Sequence, residues 1–564
     1  MNKHLNVLFV VVVIMALVVT GCGPTPTPTK VSVPTEAPAP TPMSEGKPVS
    51  GGTLTMAIRM EILTLDPVFA TSWPFTHSAS HIFDALLSSD NEGNMYPALT
   101  ENWEVSEDAM HYTFHLRKDV QFHDGTPFNA EAVKYHLDRV KDPEWCCGNA
   151  YEYVGPYESS EILDEYTIRV NFTKPWGPFE TYAGDFYTMS IVSPAAVEEW
   201  GREVAMHPVG TGPFKFVEWV PQDHLTLERN PDYNWAPEIF DHQGPAYLDK
   251  IVVKFIGEPG TRLACLQSGE CDVIKDPSFP DIQALRDDPN FRVIKVPEKG
   301  APYSWSFNTV KPPTDDVSVR KALNLAVNRE MINESVFNGE RAPYYTVLTS
   351  ATPEYWPGSA DHIYYDPEEA KAILEESGWV DTDGDGIREK DGQPLKIELV
   401  AFGAAENNPR VMICEVIQAN LKEVGCDAHI QIVPLEDHPV VAMSKEYNLI
   451  YCGMAHINAT VLGVMYHSRE APSEGHYGMG WTWFHEDNPE LSQKLDDLLD
   501  EADRTAGFEE RKQLYWEAQK IIAENHLAMP ISQGYEIFAV SESVHDIKFN
   551  GANTPSFYDT WIEQ

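Results

Sequence analysis

The chain has 564 residues, 43% of them hydrophobic and 11% aromatic, which is enough for substantial cores. Its 86 acidic residues against 41 basic ones give a formal charge of −45, which argues against nucleic acid as a partner and against docking of the folded body on anionic lipid. Such a balance suits a solvated acidic surface first and cationic ligands second.

Lys3 opens a short polar head, and an apolar run follows from Val7 to Val19. A run of about thirteen residues is shorter than the roughly 18–20 a membrane span needs and matches the core of a secretory signal. It ends in Val19-Thr20-Gly21-Cys22, which resembles a bacterial lipobox. The resemblance implies cleavage before Cys22, diacylation of its thiol and attachment to a membrane. Residues 23–50 are rich in Pro and Thr and have no periodic apolar face, so they predict a disordered, extended linker. No later apolar run approaches a span.

The body begins with an alternating strand at Gly51–Met60. A second strand, Met110–Leu116, precedes the turn at Asp124–Pro127, after which Asn129 caps a helix through Val140. Ser193-Pro194 opens a helix ending at Gly201, with a capping side chain before Pro at the first helical position. The same device recurs at Asp366-Pro367 to Gly378, Asn408-Pro409 to Gly425 and Asn488-Pro489 to Arg504. Gly210-Thr211-Gly212-Pro213 lacks the third glycine of a dinucleotide fingerprint and predicts a tight turn before the strand Phe214–Trp219. Further strands are expected at Ile251–Ile256, Val293–Val296, Leu395–Phe402, His429–Val433 and Asn448–Cys452. A last helix, Phe508–Asn525, is followed by strands at Ala528–Ile531 and Tyr535–Val540. Helices between extended runs imply α/β lobes with mixed sheets, and a strand-rich tail after a helical region suggests a return to an earlier sheet.

If Cys22 is lipidated, seven of the eight cysteines remain. Cys265 and Cys271 could close a short disulfide, none of the pairs has metal-binding spacing, and most of the rest fit as small buried hydrophobes. There is no nucleophile elbow, Walker loop or HExxH. Asp381, Asp383 and Asp385 alternate ahead of Gly386, a spacing that suits Ca²⁺. The twelfth loop position, where a bidentate Glu closes such a shell, is Gly392, with Glu389 and Asp391 as substitutes. Two readings stand, a structural calcium and a solvated acidic turn. No other cofactor is expected. Trp73, after Ala70-Thr71-Ser72, and Trp481 and Trp483, in GMGWTWFHED, lie in polar stretches where an aromatic suits a ligand surface.

Several blocks then add up. GGTLTMAIRMEILTLDPVFATSW and IFDALLSSDNEGNMYPALTENWEVSEDAMHYTFHLRKDVQFHDGTPFNAEAVKYHLDRV are followed by PVGTGPFKFVEW, LERNPDY, YLDKIVVKFI, LQSGECDV and YSWSFNTVKPPTDDVSVRKALNLAVNREMI. Together they resemble the family 5 extracellular solute-binding proteins, the dipeptide-, oligopeptide- and nickel-binding components of bacterial ABC importers. The resemblance covers essentially the whole body. It implies a two-lobed, periplasmic-binding-protein-like α/β fold with an extra subdomain. Lobe I would comprise residues 51–82, 190–300 and 536–564, the inserted subdomain 83–189, and lobe II 301–535. It also implies a monomer that captures a peptide or similar small solute by hinge closure and hands it to permease subunits with their ATPase. The membrane would be reached through the lipid anchor alone. Other readings are an oligosaccharide- or metal-chelate-binding member of the family and, in a different class, a sensor or enzyme on this fold.

By the resemblance, ligand contacts fall at Thr71, Ser72 and Trp73, at the start of the second lobe (Tyr303, Trp305, Asn308), and after the strand at Asn448–Cys452. Peptide binders carry there an Asp that pairs with the peptide ammonium. In this chain no Asp occurs from Tyr447 to Arg469, and His456 stands nearest that position. Losing one partner of a desolvated charge pair costs about 2–5 kcal/mol, and a histidine with the ordinary pKa of about 6.5 is mostly neutral at neutral pH. Trp481 and Trp483 complete the expected ligand-binding set.

Overall fold

The computed structural model describes residues 47–145, 149–185, 189–403 and 408–563. Cys22, the linker up to residue 46, and Cys146 and Cys147 lie outside these residues. Among the described residues no helix is long and apolar enough to cross a membrane.

Two mixed sheets organise the body. The first has seven strands in the order Phe291–Pro297, Tyr535–Ser541, Val273–Lys275, Thr53–Ile58, Lys250–Phe255, His224–Arg229, Phe214–Val220. Thr53–Ile58 pairs in parallel with both of its neighbours, and the outer pairings are antiparallel. A strand with parallel neighbours is buried on both faces, and Leu54, Met56, Ala57 and Ile58 are all buried here. The second sheet has six strands in the order Ala342–Pro343, Ala528–Gln533, Tyr303–Phe307, Leu449–Tyr451, Lys396–Phe402, Asp427–Val433. Its last three run parallel. A separate four-stranded antiparallel sheet spans Thr100–Val105, His111–Leu116, Thr167–Phe172 and Tyr157–Asp164 and carries the helix Ala130–Lys141.

The first lobe is discontinuous, because Tyr535–Ser541 inserts between Val273–Lys275 and Phe291–Pro297 after the whole second sheet has been laid down. The chain therefore crosses between the sheets twice, at residues 298–302 and at Gly534. The two crossings are bonded to each other. Glu298 N donates to Gly534 O at 3.0 Å, and Gln533 Nε2 donates to Glu298 O at 2.8 Å.

Local chemistry sets the helix starts. Asp366 accepts from Glu369 N at 2.9 Å, Asn408 from Arg410 N at 3.0 Å and Asn488 from Leu491 N at 3.2 Å, satisfying backbone donors that the first turn leaves without partners. The helices are Pro367–Glu376, Pro409–Glu423 and Pro489–Arg504. Gly425, at φ +85°, reverses the chain into Asp427–Val433 in the left-handed conformation that glycine adopts readily. The Leu-Asp-Pro turn is anchored from the subdomain. Asp66 is buried, accepts from Val68 N at 3.2 Å and forms a buried ion pair with Arg139 of the helix Ala130–Lys141. Burial raises the Asp66 carboxyl above its usual range, against the pull of Arg139 and of the Val68 bond.

Cys265 and Cys271 are joined by a disulfide with Cα atoms 5.2 Å apart. Cys414, Cys426 and Cys452 are free and buried.

Candidate interlobe binding site

In both sheets the parallel strands run toward the crossings. Lys275 ends its strand beside Ile537 and Phe538, near the start of Tyr535–Ser541, and Tyr451 ends its strand opposite Trp305, near the start of Tyr303–Phe307. The carboxyl ends of both parallel sets thus meet at one cleft, the place where open α/β sheets hold ligands.

On the lobe I side, Ser72 stands at the N-cap position without a side-chain capping bond and Trp73 opens the helix Trp73–Ile82, so Trp73 sits on a rigid element. Lys275 Nζ lies 4.1 Å from the centre of its ring and the Arg59 guanidinium 5.6 Å, within cation–π range. Lys275 is 3% exposed and ion-paired with Glu536 and, at 3.3 Å, with Asp276. Burial alone would depress its ammonium, but the two carboxylates outweigh burial and hold it above its usual range. His77, one turn along the helix, bonds Trp73 O through Nδ1 at 3.0 Å. Burial, reinforced by Lys275, lowers its pKa to about 3, so it is neutral at neutral pH.

On the lobe II side, Tyr303 and Tyr451 stand edge to face with ring centres 5.7 Å apart. Arg341 lies 4.2 Å over Tyr303, and Arg410 lies 4.5 Å over Tyr451. Neither guanidinium is ion-paired among the described residues. At the subdomain end, Tyr153 stacks on Tyr182 at 4.9 Å, and both meet His456 edge-on at 5.5 and 6.2 Å. Tyr182 Oη and Thr460 Oγ1 share a hydrogen bond of 2.8 Å that ties the subdomain to lobe II. Burial lowers the His456 pKa to about 4, against its bonds to Asn458, so its imidazole carries no charge at neutral pH.

The expected ligand residues separate into two groups. Thr71 is exposed, and Ser72, Trp73 and Tyr303 are half-buried; Trp73 and Tyr303 stand on opposite walls of the cleft, and His456 lies buried at its subdomain end. Trp305, Asn308, Trp481 and Trp483 belong instead to the core of lobe II. Trp305 is 0% exposed and donates Nε1–H to Val400 O at 3.0 Å. It shares a strand face with Tyr303 but lies two residues further along, about 6.6 Å deeper, against Tyr451. Asn308 spends its amide on Lys445 O and Tyr447 O, both at 3.0 Å. Trp483 donates Nε1–H to Tyr447 Oη at 2.9 Å, and that hydroxyl donates to Trp481 O at 2.7 Å. Trp481 Nε1–H is taken by Gly478 O at 2.9 Å. A single buried tyrosine hydroxyl thus draws the glycine-rich stretch inward.

Lys275, Glu298, Arg341, Arg410, Tyr451 and Glu536, at or beside the strand ends and crossings, were not singled out by the sequence analysis. Strand-terminal position was the available signal for Lys275 and Tyr451, and the Asn-Pro cap for Arg410. A separate cavity of about 330 Å³, lined by Glu180, Lys299, Glu354, Asn458, Arg511 and Gly551 among others, lies at the junction with the subdomain. No parallel strand ends there.

The carboxylates of Asp381, Asp383, Asp385 and Glu389 bring ligand oxygens within 4.8 Å of one another. Oxygens 2.3–2.6 Å from a common Ca²⁺ would span up to about 5 Å, so this donor set fits the ion. The loop lies between Pro367–Glu376 and Lys396–Phe402, and its acids are exposed or half-exposed. Asp381 already accepts from Gly384 N at 2.7 Å and Gly386 N at 3.1 Å.

Residues 94–506 match the family model described as bacterial extracellular solute-binding proteins, family 5 Middle. Heme-binding protein A of Haemophilus influenzae is 28% identical over 546 residues, covering 92% of this chain and 94% of that protein. Glutathione-binding protein GsiB of Escherichia coli is 28% identical over 385 residues, covering 67% of this chain and 69% of its own. Among solved structures, NikA of Brucella suis in complex with Fe(III)-EDTA superposes with a TM-score of 0.77 at 24% identity, over 91% of this chain and 100% of that one. DppA of Helicobacter pylori in complex with the peptide STSA gives 0.69 at 25%, over 92% and 99%.

Trp305→Ala should destabilise the fold by about 3–5 kcal/mol, the range for emptying a large buried aromatic site, seen as a lower midpoint in denaturant. A Trp305→Ala protein that melts like the parent would place this side chain outside the core.

Proposed function

The chain belongs to the bacterial extracellular solute-binding proteins, family 5, and we propose that it captures a small solute between its lobes as the binding component of an ABC importer and presents it to the permease subunits. One observation carries the reading. The parallel strands of both sheets end at a single cleft, and the lobes around it are joined by two short, mutually bonded crossings, a geometry suited to hinge closure. The cavity beside Lys299 lacks that convergence, so the solute is assigned to the cleft, with Trp73 and Tyr303 as aromatic walls and Thr71, Ser72 and His456 at its margins. Lobe I is assigned to residues 51–82, 190–300 and 536–564, the subdomain to 83–189 and lobe II to 301–535. The relatives' names make short peptides, glutathione, haem and metal chelates the first solutes to try.

Adding such a solute should reduce the radius of gyration in solution scattering. It should also raise the melting temperature, because a ligand at a hundred times its Kd adds about 2.7 kcal/mol to the native state. If a broad panel of these solutes at saturating concentration moves neither quantity, the capture role fails.

We further propose that Cys22 is lipidated and tethers the body outside the cytoplasm through the Pro/Thr-rich segment. Labelled palmitate should enter the parent protein and not Cys22→Ala; equal labelling of both would refute the anchor. The loop at Asp381, Asp383, Asp385 and Glu389 is assigned a structural calcium. Chelator should then lower the melting temperature while leaving solute binding in place, and an unchanged melting curve for both chelated protein and Asp383→Ala would reduce the loop to a solvated turn.

A further inference from the structure

On the strength of the importer reading, we infer that Glu298 is the acceptor for a cationic group, a primary ammonium or a guanidinium, on the solute captured in the cleft. Glu298 lies on the first crossing between the lobes, where the end of the lobe I sheet passes into lobe II. Among the described residues its carboxylate makes no hydrogen bond and no ion pair. The cations nearest it form no ion pair with it, although Arg341 and Lys275 both pull its carboxyl down. Lys275 is held by Glu536 and Asp276. Arg286 and Lys295 are both taken by Glu340, at 2.6 and 3.3 Å. Arg341 is spread over Tyr303 and Phe337, at 4.2 and 4.7 Å from the ring centres.

The neighbouring crossing adds acceptor capacity. Gln533 is 2% exposed; its Nε2 donates to Glu298 O at 2.8 Å and to Gly534 O at 3.0 Å, while its Oε1 is buried with no donor. Residue 534 is a glycine, and a Cβ there would collide with Glu298 Oε2, so the missing side chain is what lets the carboxylate lie against the second crossing. Burial, and next the charge of Glu536, raise the Glu298 carboxyl above its usual range. The half-buried carboxylate has no protein partner to give up, and an incoming cation would offset its partial desolvation. Residues 452–460, on the facing lobe, supply no carboxylate that would do the same work.

The test uses the full chain and its Glu298→Gln variant, purified without refolding. Native mass spectrometry identifies any retained solute. Calorimetry then compares tri-alanine, N-acetyl-tri-alanine and any retained solute. The expected results are a retained solute bearing an amine or guanidine, tri-alanine binding about thirtyfold or more tighter than its acetylated form, and loss of that preference in Glu298→Gln at an unchanged melting temperature. The ratio of free to acetylated peptide is the deciding readout, because a purely structural role for Glu298 would weaken both equally. A retained solute without a cationic group, or a preference for the free amine that survives in Glu298→Gln, overturns the inference while leaving the importer reading intact. If neither protein retains or binds any solute, the importer reading itself fails and this inference falls with it.

Discussion

The residues that pass from one sheet to the other do so as a bonded pair. Glu298 and Gly534 share a backbone hydrogen bond, and the Gln533 amide clasps both carbonyls. A single crossing would let one lobe swivel freely about two torsions per residue. Two crossings laced together would restrict hinge closure to rotation about a common axis and would bring the walls carrying Trp73 and Tyr303 back to the same facing positions. The placement of every cleft side chain depends on this. It also explains why charge is concentrated here: Lys275, Asp276, Glu298, Arg341 and Glu536 are all carried on or next to segments whose relative position the hinge fixes.

The cleft is prepared by interactions that leave specific groups unused. Tyr303 and Tyr451 hold two guanidiniums by their faces and not by carboxylates, so Arg341 and Arg410 keep hydrogen-bonding capacity that an ion pair would have consumed. Lys275 is the opposite case, a buried ammonium kept charged by two acids. The His77 and His456 imidazoles are both held neutral by burial, so neither supplies charge to a solute near neutral pH. The fixed charges at this site therefore come from Arg, Lys and carboxylates, whose states are less responsive to small shifts around neutrality.

Much of the architecture was legible because it is written locally. Asp366-Pro367, Asn408-Pro409 and Asn488-Pro489 each start a helix where expected, since a cap needs only a side chain and the donors two or three residues on. The return of Tyr535–Ser541 to the first sheet was signalled by strand character after a long helix. The strand His224–Arg229 and the helix at Trp73 were not marked out, the first because it continues a hairpin whose turn carries no glycine, the second because Ser-Trp-Pro gives a helix start with little periodic pattern after it. The site was harder to read. Polar context placed Trp481 and Trp483 at a surface, yet Tyr447, more than thirty residues earlier, bonds both and buries them. Trp305 and Tyr303 share a strand face, and only the depth of the strand in its sheet separates core from wall. Glu298 could not stand out among 86 acidic residues, because its lack of a partner is a property of two crossings that are distant in sequence.

The position of Tyr535–Ser541 bears on how the molecule is made. This strand is wedged between Val273–Lys275 and Phe291–Pro297, yet it follows the whole of the second lobe in the chain. During synthesis Phe291–Pro297 has no partner in the first sheet until that strand emerges, directly after Ala528–Gln533 has completed the second sheet. The first lobe thus carries a built-in delay: its sheet stays unsealed while the rest of the polypeptide is still arriving. A half that cannot lock early remains threadable for longer.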